Sequence, residues 1–543
     1  MSAPRSQVSR MTENEWTVMV FFAGDPRLSP SMTAQLKGLK DAGFQEDTTV
    51  LVHYDPNEVR VNTTIFDINQ ARKNWLREQG KPATVIGDGT DPFVRNLLED
   101  RIEGAPSKTA NATEALKNFL TQGLATKAKH YLVFLVGHGV IVGNDFFLPD
   151  HNPEETGIKL TKLGELLRNF QTGAETNGGQ VELIGLHSCS MSAIEVAYEL
   201  QGAAKYMLAT EGSSFVTSWP YRQIMKKILN AVDSKGKNVV VDDLVKSIQQ
   251  LSLHNSKDFM FSGLSADVCL CSLERDKVGS LTVPVQNLTT ALKAGLQDNT
   301  ARELIKLAHL EAQSYFDENY TDLYDFCLCL QRKCVSPDPI QTAMRETCKA
   351  VRDTLTEKDG NVIVQADFFG PVLQYSHGLS IFFPWAEPME AAMLGRYGDY
   401  QFTKALKGDS KDQDHSWLSF LVEYFSKTKR SSRQQEDDPQ SEQNRANGTS
   451  IVNNTTVAID SAAGNGSNGA DVLAVMDKPI SSLDKPISSL DKPISSLEGG
   501  GCGCNIKNYP MEFSIASERA AHKYSPQEPS TDQRRERRAP APR

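Results

Sequence analysis

Strand-like and helix-like segments alternate along the first half of this sequence, and no other feature constrains its fold as strongly. Continuous apolar runs rich in β-branched and aromatic residues are typical of strands buried on both faces. The runs are WTVMVFFA (16–23), TTVLVHYD (48–55), HYLVFLVGHG (130–139), QVELIGLHSC (180–189) and AKYMLATEG (204–212). Helix-like stretches lie between them, at about 32–42, 109–129, 161–170 and 192–201. This order predicts an α/β fold, a three-layer αβα sandwich around a mostly parallel sheet.

Two of the predicted strands end in side chains that can do chemistry. GHG (137–139) ends one strand and SCS (188–190) ends the next, which separates His138 from Cys189 by 51 residues. Parallel neighbouring strands would bring both side chains to the same edge of the sheet. The alternative is that Cys189 is a small core residue and that His138 lies in a turn.

The chemistry of peptide hydrolysis needs such a pair. A thiol with a pKa near ~8.5 is mostly protonated at neutral pH. An imidazole can take that proton and later return it to a leaving amine. We therefore predict a catalytic pair of His138 and Cys189, with the backbone N–H groups of Gly139 and Cys189 as an oxyanion hole.

The same blocks resemble those of the clostripain-like cysteine peptidases, a family in the same clan (CD) as the caspases, legumains and gingipains. The blocks are WTVMVFFAGD, FLVGHG, ELIGLHSCSMSAIEVAYEL, YMLATEG, SWPY, LSADVCLCSLERDKV, YTDLYDFC and HGLSIFFP. The resemblance covers about residues 15–425 and implies a caspase-like fold. By position it implies that His138 is the catalytic histidine and Cys189 the nucleophile. It also implies a precursor that cuts itself, between these two residues or in its tail.

One departure from the family concerns substrate choice. Family members usually have Asp-Ala-Cys where this chain has HSC (187–189). That aspartate is associated with a pocket for basic P1 side chains, because a carboxylate pairs with guanidinium or ammonium. His187 either contacts the P1 side chain or is a satisfied polar residue in the wall. Three alternatives follow: another acid supplies the charge (Asp25, Asp150 or Glu211), the pocket accepts a different residue, or efficient proteolysis has been lost.

Composition divides the chain into three parts. We predict a caspase-like catalytic domain over 14–225 and a C-terminal part of the peptidase over 226–425, which either extends the first sheet or forms its own lobe. A flexible tail follows over 426–543 and contains DKPISSL three times in tandem, from 477 to 497. The proline in each repeat would break a helix, so the repeats predict an extended spacer that could dock a protein partner.

Charge and motifs exclude several functions. A net charge of −10 argues against nucleic-acid binding. The sequence contains no long apolar run and no apolar segment near residue 1, which predicts a cytoplasmic protein without a membrane span. No phosphate-binding loop, HExxH motif or EF-hand loop is present, so we predict no metal and no cofactor. Some relatives use calcium, but no motif here supports it.

These observations predict a cysteine endopeptidase that acts through a thioester acyl-enzyme on peptide or protein substrates. The alternative is a catalytically weak or inactive protein with a peptidase fold that acts through its C-terminal tail.

Overall fold

The predicted three-layer sandwich is present, with a mostly parallel sheet at its centre. The computed structural model describes residues 14–23, 28–43, 47–55, 64–68, 78–80, 112–139, 157–233, 241–256, 265–315, 318–356, 362–388, 392–407 and 414–428. Asp25, Asp150 and the DKPISSL repeats lie outside the described residues.

In the described part of the chain, the central sheet has eight strands in the order β10-β7-β6-β5-β4-β1-β2-β3. Their bounds are β1 Asn14–Phe22, β2 Thr48–Tyr54, β3 Thr64–Asp67, β4 Ala128–Val136, β5 Gln180–His187, β6 Tyr206–Ala209, β7 Ala266–Ser272 and β10 Ile363–Phe369. The middle strands, from β6 through β5, β4 and β1 to β2, pair in parallel. The outer pairings, β2 with β3, β6 with β7 and β7 with β10, are antiparallel.

Strand β4 shows why these apolar runs become central strands. Every side chain from Tyr131 to Val136 is fully buried. Val133 and Leu135 belong to one hydrophobic core, whereas Leu132, Phe134 and Val136 belong to the other. Burying each large apolar side chain contributes about 1.5–3 kcal/mol, so a strand with both faces covered is strongly held at the centre of the sheet.

Helices cover both faces of the sheet. One core contains side chains of α1 (Ser29–Asp41), α5 (Tyr221–Asp233) and α6 (Val241–Ser256). The other contains side chains of α2 (Ala112–Ala125), α3 (Leu160–Thr176) and α4 (Ile194–Leu200). The sequence predicted α1, α2, α3 and α4, with ends that differ by a few residues.

The second half of the chain extends the first sheet, one of the two possibilities that the sequence left open, and it also adds a separate small sheet. Strands β7 and β10 extend the central sheet, while β8 (Ser314–Tyr315), β9 (Tyr320–Asp322) and β11 (Ser380–Phe382) form a separate sheet in the order β11-β9-β8. The helices of this half are α7 Arg275–Gly279, α8 Thr282–Gln297, α9 Asn299–Glu311, α10 Leu323–Lys333, α11 Pro339–Thr356, α12 Ala392–Tyr397, α13 Gln401–Lys407 and α14 Trp417–Thr428. The domain boundary at 225/226 stays a prediction.

The small sheet is joined to the segment that carries Cys189. The N–H of Ser380 donates to the carbonyl of Ser192 at 3.0 Å, and the Ser192 hydroxyl donates to the carbonyl of Gly378 at 2.6 Å. Residues nearly two hundred positions apart therefore meet directly behind the candidate nucleophile.

Candidate active site

The pairing of β4 with β5 brings the two predicted catalytic residues to the same edge of the sheet. Val136 pairs with His187, 51 positions further along the chain, and the Gly137 N–H donates to the His187 carbonyl at 3.4 Å. His138 lies two residues beyond Val136, and Cys189 lies two residues beyond His187, so both have the same offset from this last pair. The two strands are neighbours, which is the condition under which the sequence analysis expected these side chains to meet, whereas the catalytic role of these residues stays a prediction.

Gly139 packs directly against the backbone of Cys189. A Cβ atom built on Gly139 would lie 1.6 Å from the carbonyl oxygen of Cys189 and 2.8 Å from its nitrogen. No side chain fits there, so the close approach of the two backbones requires glycine at this position. The two residues predicted to form the oxyanion hole are therefore in contact.

The thiol of Cys189 is held by the segment that follows β6. Its side chain is buried, and the residue is 7% exposed. The thiol donates a hydrogen bond to the carbonyl of Ser214 at 3.6 Å, and the Ser214 N–H donates to the sulfur at 3.3 Å. A backbone N–H directed at the sulfur favours the thiolate once the proton is removed.

Two backbone segments, 188–192 and 210–214, run side by side around this thiol. The Ser190 N–H donates to the carbonyl of Gly212, and the Ser192 N–H donates to the carbonyl of Thr210, both at 2.9 Å. The Thr210 hydroxyl donates to the carbonyl of Ser188 at 3.2 Å. Ser190 has a φ of +55°, a left-handed conformation that is uncommon for a residue other than glycine. The chain thus bends sharply directly after Cys189.

His187 is a buried residue with partners on both ring nitrogens. Its Nε2–H donates to the carbonyl of Phe215 at 2.7 Å, and its Nδ1 accepts from the Tyr221 hydroxyl at 3.1 Å. The ring stacks on Trp219, with 4.4 Å between ring centroids and 5° between the planes. Burial lowers the pKa of His187 to about 3, against the opposing effect of its bond to Phe215. The imidazole is therefore neutral at physiological pH and does not repel a cationic substrate.

A cleft of about 280 Å³, including space open to solvent, is lined in part by Ser214, the residue that binds the Cys189 thiol. The segment that holds the thiol forms one wall, and the start of β7 with the end of β10 forms another. Among its lining residues are Ser214, Phe215, Trp219, Asp267 and Phe369. The cleft therefore combines aromatic surface with one carboxylate, next to the candidate nucleophile.

Asp267 is the acid of this cleft. It is 2% exposed, and its two carboxylate oxygens accept the N–H groups of Glu211 at 2.6 Å and Gly212 at 2.9 Å. Burial raises the pKa of Asp267 to about 6, while these two bonds oppose the rise. Sequence reasoning did not single it out, although a charged residue within the apolar run ADVCLCS (266–272) was a usable signal.

Glu211 belongs to the 210–214 segment that holds Cys189, and its side chain is wholly buried. Its Oε2 accepts a hydrogen bond from the Gly378 N–H at 2.8 Å. Of the three acids that the sequence offered for substrate binding, this is the one that the structure describes. Its described hydrogen-bond partner is a backbone amide in the second half of the chain, and Glu211 is not among the residues that line the cleft.

The described residues contain neither a metal-binding cluster nor a membrane-spanning helix. No group of three or more His, Cys, Asp and Glu side chains there is arranged to hold a metal ion. No described helix is long and apolar enough to cross a membrane. The calcium and cofactor predictions stay untested.

Comparison with known proteins decides the family. The model of the clostripain family matches residues 84–417. The chain belongs to the clostripain family. Membership places it among the cysteine peptidases of clan CD with a caspase-like fold, as the sequence predicted. A search of curated proteins found no match.

Solved structures of clostripain-family proteases are similar to this chain at low identity. An inactive zymogen C11 protease from Parabacteroides distasonis is 17% identical, over 73% of this chain and 99% of its own, with a TM-score of 0.46. A secreted C11 cysteine protease from Bacteroides thetaiotaomicron, in complex with an irreversible peptide inhibitor, is 15% identical over 72% and 99%, with a TM-score of 0.45. The cytoplasmic location of the present clostripain-family member stays a prediction.

Proposed function

We propose that this protein is a cysteine endopeptidase that uses Cys189 as its nucleophile and His138 as its acid–base. The observation that supports this most strongly is the register of β4 and β5, which sets both residues two positions beyond one strand pair. The backbone contact between Gly139 and Cys189 adds a place where a carbonyl oxygen can meet two N–H groups.

In the proposed reaction, His138 takes the thiol proton and the sulfur attacks the substrate carbonyl carbon. The N–H groups of Gly139 and Cys189 stabilise the oxyanion that forms. The C–N bond then breaks, and His138 gives the proton to the leaving amine, which leaves a thioester on Cys189. Water, with His138 as the base, hydrolyses the thioester and restores the thiol.

We propose that the P1 side chain enters the cleft beside Cys189. Asp267 supports a P1 residue with hydrogen-bond donors, such as lysine or arginine, because its oxygens can accept further bonds besides those from the backbone. Phe215, which is partly exposed and lines the cleft, offers aromatic surface to the stem of such a side chain. On this proposal, Asp267 supplies the charge that His187 does not.

A peptide library with every P1 residue, read by mass spectrometry, tests both proposals on the full-length protein. We expect cleavage by the wild type and by Cys329→Ala, a control that removes a buried thiol of α10, and none by Cys189→Ala or His138→Ala. Asp267→Asn is expected to lower the rank of lysine and arginine at P1 relative to neutral residues. Failure of the wild type to cleave, with calcium or with chelator, would instead support the inactive peptidase-fold alternative.

We also propose that the chain cuts itself, and this proposal rests only on its membership of the clostripain family. Incubation of the wild type and Cys189→Ala, followed by N-terminal sequencing of the fragments, would show whether the chain cuts itself between His138 and Cys189 or in its tail. A fragment pattern shared by both variants would mean that another protease makes the cut.

A further inference from the structure

Glu211 has an unusual environment for a carboxylate. Its side chain is wholly buried, and one oxygen accepts the Gly378 N–H. The other oxygen, Oε1, is buried, and no N–H or hydroxyl donor of the described residues bonds to it. An ionised carboxylate oxygen in such a place is costly, because no donor replaces the water that it has lost.

Two more buried carboxyl groups, those of Asp322 and Asp267, lie near Glu211, and each accepts more hydrogen bonds from backbone N–H groups than Glu211 does. Asp322, which is fully buried, accepts the N–H groups of Asp325 at 2.7 Å and His377 at 2.6 Å. Asp267 accepts two backbone N–H bonds, as described above. Since donors stabilise the charged form of a carboxyl group, Glu211, which accepts the fewest hydrogen bonds of the three, is the member best suited to keep a proton.

The remaining titratable groups around this cluster agree with that distribution. His377 Nδ1 lies 3.5 Å from an oxygen of Asp322. Burial lowers the pKa of His377, but the bond to Asp322 and its charge outweigh burial and raise it overall. Burial raises the pKa of Tyr315 and of Cys269 well above their usual values, so both are neutral. Burial likewise raises the pKa of Glu211 well above its usual range, and the two facing carboxylates raise it further.

The cluster is connected to the nucleophile by short, direct contacts. Glu211 lies within the 210–214 segment. This segment binds the Cys189 thiol through Ser214, and its Gly212 carbonyl accepts the N–H of Ser190. Gly378 binds both the 210–214 and the 188–192 segment, because its N–H donates to Glu211 while its carbonyl accepts from the Ser192 hydroxyl. A charge that pushed Glu211 away would therefore disturb the support of the thiol.

We propose that Glu211 is a positioning residue that acts in its protonated form. The neutral carboxyl lets three carboxyl groups lie together behind the 210–214 segment, and this segment in turn holds Cys189. Rising pH removes the proton, adds a further negative charge to the cluster and loosens the segment. The alkaline limb of peptidase activity is then governed by Glu211 as well as by the catalytic pair. This inference rests on the proposed catalytic role of Cys189.

The test compares pH profiles of kcat/KM for the full-length wild type, Glu211→Gln and Glu195→Gln. Glutamine is the neutral isostere of a protonated glutamate, so Glu211→Gln is expected to move the alkaline limb upward by one pH unit or more. Glu195 is also a fully buried glutamate, but it binds the Phe382 N–H and the Tyr397 hydroxyl instead of the 210–214 segment. Its replacement is expected to leave the limb in place.

Melting temperatures measured over the same pH range provide a second readout. The wild type is expected to lose stability as the pH rises through the pKa of Glu211, and Glu211→Gln to lose less. Coincident profiles for the wild type and Glu211→Gln would overturn the inference, and so would a Glu211→Gln protein that fails to fold, because the neutral form is the one proposed to be native. If a thiol-directed inhibitor does not label Cys189 in the wild type, the proposed function has failed instead.

Discussion

Gly139 and Cys189 lie in backbone contact, so close that a Cβ atom on Gly139 would overlap the Cys189 carbonyl oxygen at 1.6 Å. This contact sets the spacing between the end of β4 and the 188–192 segment after β5. A single methyl group at this point must displace one of the two backbones.

We therefore expect Gly139→Ala to lower kcat/KM by about 100-fold or more, the loss typical of a misplacement of about 1 Å. The matched control is Gly279→Ala in α7, where an added Cβ meets nothing within 4 Å. Steady-state kinetics with circular dichroism would separate a local effect from unfolding. Wild-type activity in Gly139→Ala would show that this contact does not shape the site.

His187→Asp tests whether the aspartate that is usual in the family can simply be restored. We expect no gain in cleavage after lysine or arginine and a loss of about 1–3 kcal/mol in the free energy of unfolding, because a carboxylate cannot donate to the Phe215 carbonyl that His187 satisfies. Glutamine has both a donor and an acceptor, so His187→Gln is the control and should lose less. Denaturant unfolding and the P1 library give the two readouts. Efficient basic-P1 cleavage by His187→Asp would contradict this view of the pocket.

The φ of +55° at Ser190 limits which residues are tolerated at this position, directly after Cys189. Ser190→Gly is expected to keep its activity, because glycine adopts this conformation readily. Ser190→Val is expected to lose at least 1 kcal/mol of stability and most of its activity, since a β-branched side chain is an outlier at positive φ. Ser280→Val, at a residue with a φ of −61°, is the control. Thermal melting and kinetics measure both effects, and equal behaviour of the two valine variants would refute the argument.

Glu195 predicts a pH dependence of stability. Burial raises its pKa to about 7, although bonds from Phe382 and Tyr397 oppose the rise. A carboxyl group whose pKa is higher in the folded than in the unfolded state stabilises the fold most at low pH. That contribution, about 3 kcal/mol, declines from about pH 4.5 and is lost by about pH 7.

Glu195→Gln should therefore flatten the stability profile between about pH 4.5 and 7. Unfolding by urea at several pH values checks this, with the exposed Glu303→Gln as the control that keeps the wild-type slope. A slope in Glu195→Gln as steep as that of the wild type would place the titrating group elsewhere.

The strands could be predicted from the sequence wherever both faces of a strand are buried. Strands β1, β2, β4 and β5 are covered on both faces, so each contains an uninterrupted apolar run that is conspicuous in the sequence. Edge strand β10 is mostly half-buried, and β8 has two residues, so neither carries such a run. The pattern of RELIKLAHLEAQSYF (302–316) predicts a helix over its whole length, but α9 ends at Glu311, and Ser314 and Tyr315 pair with β9 instead.

The site could be predicted only in part, for a different reason. His138 and Cys189 carry distinctive side chains at strand ends, and the spacing of the two blocks matches the sheet register. The 210–214 segment acts on Cys189 through backbone groups of Ser214 and Gly212, and the sequence pattern does not encode which backbone groups meet. The partners of His187 lie 28 to 34 residues away, beyond any local pattern.

The hydrogen bonds from the Ser192 hydroxyl to Gly378, and from the Ser380 N–H to Ser192, have a consequence for how the protein is made. Ribosomes release the chain from its N-terminus, so β4, β5 and Cys189 emerge long before residue 378. During that interval Cys189 is present without the backbone that supports its loop. Completion of the second half of the chain is thus a built-in delay, which separates the synthesis of the Cys189 thiol from the assembly of the proposed active site.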